Sequence, residues 1–308
     1  MSHISHSAMI FETLGIRSNF LGIEEEHSSF ERSKVTILPI PYERTVSYGS
    51  GTKLGPKAIL DASHYVEFYD EETRREVHRQ LGIATLSPLD LAKKKDKAAL
   101  EAVYKTTVSL LNQQKFVIVL GGEHTISQAT IAAFAEKYRD LSVLQIDAHS
   151  DLRMEYEGNK FSHACVMARV CEFIEPRRLV QVGVRAQCIE EQEFIKEHGI
   201  TTLYAHEIRD GKYTKILKHW DDYAIEKLTG HVYVTFDVDG FDPSVMPATG
   251  TPEPNGLFWD ETMTLLKKVG RQKKVVGCDV VELAPIKGLH HPELTAAKLV
   301  SKMMNYFC

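Results

Sequence analysis

An α/β fold with a mainly parallel sheet is what this 308-residue chain predicts, on three observations. Apolar runs of strand length alternate with stretches of helical spacing, the order that builds strand–helix–strand units with helices on both faces of a sheet. The runs are continuously apolar, as strands covered on both faces require. Three of them lead directly into acids and histidines, the position where open parallel sheets collect ligand-binding groups.

The elements follow in order. KVTILPI (Lys34–Ile40) reads as the first buried strand. A helix is expected over Gly55–Asp70, with Pro56 suited to its first turn and Ile59, Ser63, Val66 and Tyr69 on one face. Lys97–Gln113 has a stronger helical pattern, placing Leu100, Val103, Thr107, Leu110 and Leu111 together. Further strands are read at Phe116–Leu120, Leu141–Ile146, Leu179–Val184, Val232–Phe236 and Lys274–Leu283. A closing helix, Glu293–Phe307, turns Leu294, Ala297, Val300, Met304 and Phe307 inward. The lysine run Ala92–Lys97 is a solvated helix start. Residues 1–33 are polar with few apolar anchors and are expected to be an arm that packs on a neighbouring subunit or frays, leaving 34–308 as a single domain.

Composition narrows the functional classes. A formal charge of −5 lacks the basic footprint of a nucleic-acid surface. No apolar run approaches the ~20 residues of a membrane span, and the N-terminus lacks the basic-then-apolar order of a signal peptide. The five cysteines (Cys165, Cys171, Cys188, Cys278 and Cys308) are odd in number and form no CxxC pair. Reduced thiols in the cytoplasm are the expectation.

The chemistry sits in three strings: GGEHTIS (Gly121–Ser127), DAHSDLR (Asp147–Arg153) and DVDGFDPS (Asp237–Ser244). Asp147, His149 and Asp151 lie at i, i+2 and i+4, so an extended segment points all three to one side; Asp237 and Asp239 repeat that spacing. A lone carboxylate after a buried strand is costly, and Asp147 and Asp237 each have a second acid or histidine two residues on. They are the natural bridging ligands of two divalent ions about 3.5–4 Å apart. His124 and Asp151 then complete one ion, and His149 and Asp239 the other. Asp242, before a proline, has a turn role. The ligand set is mostly hard, favouring Mn2+ over a thiolate-bound zinc, while Ni2+, Co2+ and Fe2+ also accept imidazole. Four aspartates and two divalent ions cancel, so an activated hydroxide leaves the site at net −1. Such a site favours hydrolysis of a cationic carbon centre over a phosphate.

GGEH, DAHSD, SHA and DVDGFDPS together resemble the signature set of the ureohydrolases, the arginase–agmatinase family. The likeness runs from PYERTVSYGSGTKLGPKAI, through TGTPEPNG (Thr249–Gly256), to CDVVELAP, covering roughly residues 33–305. It implies a three-layer α/β/α sandwich around a mainly parallel sheet of about eight strands, two Mn2+ per subunit, and release of urea from a small guanidino compound. It assigns His124, Asp147, His149, Asp151, Asp237 and Asp239 as metal ligands. It also makes Glu282 the acid that orients the guanidinium, His163 the proton shuttle and Asp151 the residue that holds the nucleophile. Family members are commonly trimers or hexamers, so a homo-oligomer is implied.

Within the family, GGEH in place of the aspartate version and GTPEPNG resemble the agmatinase branch, which cleaves agmatine to putrescine and urea in polyamine biosynthesis. The segment after DAHSD lacks the Asn/Ser-rich loop that arginases use for the α-amino and α-carboxylate groups. Glu155 or Glu157 could favour a substrate amine and engage Arg153; an unpaired Arg153 would instead suit 4-guanidinobutyrate. Related alternatives are 3-guanidinopropionate, guanidine and arginine. SHAC and Asn255 depart from the agmatinase pattern. A non-catalytic paralogue would have lost a ligand, whereas all six are present, and a deacetylase on a related fold would release acetate from an amide and no urea.

Overall fold

The computed structural model describes residues 10–308. One eight-stranded sheet, parallel throughout, organises it: β1 (Val35–Ile40), β2 (Ile83–Thr85), β3 (Phe116–Gly121), β4 (Leu141–Ile146), β5 (Leu179–Val184), β6 (Thr201–Tyr204), β7 (His231–Asp237) and β8 (Lys274–Val281). Their order is β2-β1-β3-β8-β7-β4-β5-β6. The six strands read from sequence form the interior of the sheet. The other two, β2 and β6, are its edges; at three and four residues they are too short to carry a periodic signal.

The longer helices are α1 (Gly55–Ser63), α2 (Asp96–Asn112), α3 (Ser127–Lys137), α4 (Ile189–His198), α5 (Trp220–Lys227), α6 (Trp259–Gln272) and α7 (His291–Phe307). Because side chains alternate along a strand, each strand feeds two cores. Val35 and Ile37, Ile118 and Leu120, and Leu144 and Ile146 pack on the face covered by α1, α5, α6 and α7. Leu38 and Ile40, Val117 and Val119, and Leu141 and Val143 pack on the face covered by α2, α3 and α4. This is the three-layer sandwich. Burying each such side chain contributes about 1.5–3 kcal/mol.

Some expectations change. The helix expected over Gly55–Asp70 ends at Ser63. There the Ser63 hydroxyl accepts the Leu21 amide at 2.8 Å, and the His64 ring meets the Asn19 carbonyl at 2.9 Å. These tertiary bonds override the helical spacing; Val66 is still buried, but Tyr69 is exposed. In α7, Leu294 also faces outward. Of the expected arm, residues 1–9 lie outside the described residues. From residue 10 onward the chain follows the sheet, Thr13 bridging Leu86 and Phe20, Leu21 and Ile23 joining the core beside α1.

Chain order explains where a site forms. β3 and β4 are consecutive, yet β8 and β7 insert between them. The carboxyl ends of β3, β8, β7 and β4 therefore stand side by side where the winding reverses, the crevice such sheets use for ligands.

Candidate metal centre

Each of the four central strands delivers its polar string to this crevice. β3 runs into Gly122, Glu123 and His124; β4 into Asp147, His149 and Asp151; β7 ends on Asp237, with Asp239 beyond; β8 leads to Glu282. Gly122 is required by close approach: a Cβ there would sit 2.0 Å from the Tyr42 carbonyl oxygen. Asp151 and Glu282 occupy left-handed backbone conformations, at φ 54° and 65°. That region is uncommon for residues other than glycine and concentrates at functional sites.

The side chains converge. His124 Nδ1 lies 3.2 Å from Asp147 Oδ2, 3.0 Å from Asp151 Oδ2 and 3.5 Å from Asp237 Oδ2. His149 Nδ1 lies 2.9 Å from Asp239 Oδ2. Two compact donor groups result, His124/Asp147/Asp237 and Asp147/His149/Asp239, with Asp147 common to both. Backbone amides hold one oxygen of several acids and leave the other facing the cluster. Asp147 Oδ1 accepts the His149 amide at 2.6 Å, Asp237 Oδ1 the Asp239 amide at 2.9 Å, and Asp239 Oδ1 the Ala148 amide at 3.0 Å.

This donor set fits cations. His124 is fully buried, and its Nδ1, surrounded by carboxylate oxygens, makes no hydrogen bond. Among protein groups alone, burial and then the Asp147 charge push Asp151 up to about 7. Burial, Asp239 and Asp147 likewise hold Asp237 well above the usual carboxylate range. Buried acids packed this closely cannot all ionise without positive charge among them. Two divalent ions held by these six residues would supply it.

Polar residues inside otherwise apolar strands orient the donors, and reading for acids and histidines missed them. Thr235 of β7 meets His124 Nε2 at 2.9 Å and donates to Asp279 Oδ1 of β8 at 2.7 Å. Because the hydroxyl proton goes to the carboxylate, Thr235 accepts from Nε2–H, leaving Nδ1 bare toward the acids. Gln145 donates to Asp147 Oδ2 at 2.7 Å; Gln181 in turn donates to Gln145 at 2.7 Å and to the Ser150 carbonyl at 2.8 Å. Arg185 donates to the carbonyls of Asp239, Phe241 and Glu253 at 2.6, 3.1 and 2.9 Å, tying the loop after β7 to the Thr249–Gly256 segment. Their signal was a polar residue in, or just after, a run of buried apolar ones.

Glu282 is buried, and its Oε1 accepts the His124 amide at 2.6 Å. His163 is half-buried, with its ring on the wall of the same crevice. A narrow slot of about 20 Å³ is lined by His149, Asp151, His163, Asp237, Asp239 and Glu282. It adjoins a vestibule of about 300 Å³ whose walls include Arg153, Tyr156, Gln187 and Glu191. The acid beside Arg153 is neither Glu155 nor Glu157, which are exposed. It is Glu191 of α4, at 3.9 Å, buried and held by the Leu152 and Cys188 amides. The Arg153 guanidinium also lies over the Tyr156 ring at 5.2 Å. Asn255 sits at φ 66°, a conformation asparagine tolerates, and accepts from Arg209 at 3.0 Å. Asp242 has the expected turn role, accepting from the Ser244 amide at 3.0 Å and the Gly256 amide at 3.0 Å.

Comparison with known proteins adds independent findings. A family model described as the arginase family matches residues 33–305. The N(1)-aminopropylagmatine ureohydrolase of Synechocystis sp. is 38% identical over 289 residues, with 92% of each chain covered. The agmatinase of Bacillus cereus is 35% identical, with 91% of this chain and 94% of its own covered. The crystal structure of agmatine ureohydrolase of Thermoplasma volcanium shares the fold at a TM-score of 0.79 and 27% identity, covering 97% of this chain and 95% of that one. No helix among the described residues is long and apolar enough to cross a membrane.

Proposed function

Because the chain belongs to the arginase family and is a ureohydrolase, we propose that it releases urea from a guanidino compound whose tail is cationic, agmatine in the first instance. The observation that carries this reading is the slot-and-vestibule shape. The slot lies between Glu282 and the metal donors, where a guanidinium would meet both, and it opens onto a vestibule with room for an amine-bearing chain. Arg153, the cation on the vestibule wall that could attract a substrate carboxylate, has Glu191 beside it. An N1-aminopropyl extension of agmatine is the second reading, favoured by the vestibule volume and by two relatives, from Synechocystis sp. and Thermus thermophilus, that bear that name.

Mechanistically, His124, Asp147, Asp151 and Asp237 would hold one ion, and Asp147, His149, Asp237 and Asp239 the other. We take Mn2+ as the ion, since the donors are mostly carboxylate oxygens. Such ions lower the pKa of water enough to provide a nucleophile near neutral pH. Glu282 holds the guanidinium nitrogens and presents the carbon. Water oxygen adds to that carbon, Asp151 takes the released proton, and the bond to the substituted nitrogen breaks. The leaving amine receives a proton through His163. Cytoplasmic location and a homo-oligomeric assembly belong to the same reading. It is tested by urea release from agmatine, N1-aminopropylagmatine, arginine, 4-guanidinobutyrate and guanidine. The highest kcat/KM should fall on one of the first two; a preference for arginine or the guanidino acid would overturn the cationic-tail reading.

A further inference from the structure

The mechanism leaves one buried acid unused. Glu123, the third residue of GGEH, has no solvent exposure and does not join the donor cluster. Its Oε2 accepts the Arg44 amide at 2.6 Å and the Thr45 amide at 2.7 Å. Its Oε1 lies 3.1 Å from the Thr45 hydroxyl. That hydroxyl accepts the His163 amide at 3.0 Å and lies 3.1 Å from His163 Nδ1. Ser162 Oγ is a more distant neighbour of Nδ1, at 3.4 Å. Nε2 of His163 has no hydrogen-bond partner among the described residues, and the ring lines both slot and vestibule.

We propose that Glu123 and Thr45 are positioning residues that hold His163 in its Nδ1–H tautomer, with Nε2 free to carry the proton. The argument is a count of protons. Two backbone amides can only donate, so Glu123 Oε2 must accept, and in the ionised carboxylate Oε1 accepts as well. Thr45 has a single hydroxyl proton, and a carboxylate is the stronger acceptor for it. The remaining lone pairs of Thr45 Oγ1 then accept the His163 amide and Nδ1–H. A neutral imidazole protonated at Nδ1 has its lone pair at Nε2. There it takes the proton that Asp151 received from the attacking water and delivers it to the departing amine, ending neutral as it began. The same logic, a threonine between an acid and an imidazole, turns His124 the other way through Thr235 and Asp279. The proposal rests on His163 being the proton-transfer group.

Glu123→Gln tests it because shape is kept while the proton count changes. The amide oxygen must stay with the Arg44 and Thr45 amides, so the NH2 group faces Thr45. The threonine proton then turns to Nδ1, which forces the opposite tautomer. In the metal-loaded enzyme, His163→Ala should lower kcat by ~10²–10⁴-fold, the usual share of a general acid–base group. Glu123→Gln and Thr45→Val should each lower kcat by at least ~10-fold, as a part of that share, with KM and metal content unchanged, and Thr45→Ser should restore the rate. In a His163→Ala background, Glu123→Gln should have no further effect, since it acts through the missing ring. Equal slowing in both backgrounds would reveal a merely structural role and overturn the relay. Glu123→Gln and Thr45→Val at wild-type speed, beside a slow His163→Ala, would overturn the relay alone. His163→Ala at wild-type speed would overturn the proton-transfer reading and the relay with it.

Discussion

Replacing Thr235 by valine removes one hydroxyl and keeps the side-chain volume, so its effect isolates the link between His124 and Asp279. Both partners are fully buried. Without the hydroxyl, the His124 Nε2–H loses its acceptor at 2.9 Å and Asp279 Oδ1 its donor at 2.7 Å. Asp279 keeps the Tyr233 hydroxyl on its other oxygen, at 2.9 Å. Leaving a buried polar group without its partner costs about 1–3 kcal/mol, so two together cost roughly 2–6 kcal/mol. The same loss frees His124 to present its N–H to the acids, and disrupting such outer partners lowers metal affinity by ~10–100-fold. Denaturant unfolding should show the stability loss, and titration of Mn2+ into chelated protein should show weaker binding. Thr235→Ser should behave like wild type in both assays. A Thr235→Val protein that binds Mn2+ with unchanged affinity would refute the claim that this hydroxyl sets the His124 tautomer.

Three further outcomes are expected. Asp237→Asn removes a charge whose Oδ2 lies 3.5 Å from His124 Nδ1 and whose Oδ1 holds the Asp239 amide at 2.9 Å; metal loading, measured by elemental analysis, should fall together with urea release. Arg153→Met should leave the substrate ranking unchanged, because Arg153 faces Glu191; a shift of kcat/KM away from 4-guanidinobutyrate would show that its charge reaches the substrate. At the far end of the fold, Asp70 and Lys302 are both buried and meet at 2.7 Å. Burial opposes the Asp70 charge, but bonds from Lys302 and Thr73 outweigh it and hold the carboxyl below its ordinary value. A depressed carboxyl stabilises the fold above the unfolded pKa of about 3.9 and loses that contribution as pH falls through the folded value. Asp70→Asn should therefore be less stable than wild type near neutrality, and unfolding curves below about pH 4 should show the gap closing; a gap that stays constant would refute the linkage.

Much of the fold is legible in the sequence. Continuous apolar runs marked the six inner strands because burial on both faces leaves no room for polar alternation, and α2 showed its inward stripe because three turns or more repeat the pattern. Edge strands β2 and β6 escaped because three or four residues are too few to repeat a pattern. The end of α1 escaped because Leu21 and Asn19, distant in sequence, take up Ser63 and His64.

For the site, sequence by itself determined which candidate donors share a side at each strand end. The i, i+2 spacing on an extended backbone sets which side chains share a side, whatever surrounds them. Tertiary structure alone decided what holds them there. Only the insertion of β8 and β7 between β3 and β4 brings Thr235 to His124, Asp279 to Thr235, and Glu282 to the His124 amide. Only the fold sets Glu191 beside Arg153 and Glu123 behind Thr45. Threonine, glutamine and buried acids acquire such roles from which proton donor or acceptor faces them across the sheet, and a linear pattern does not encode those pairings.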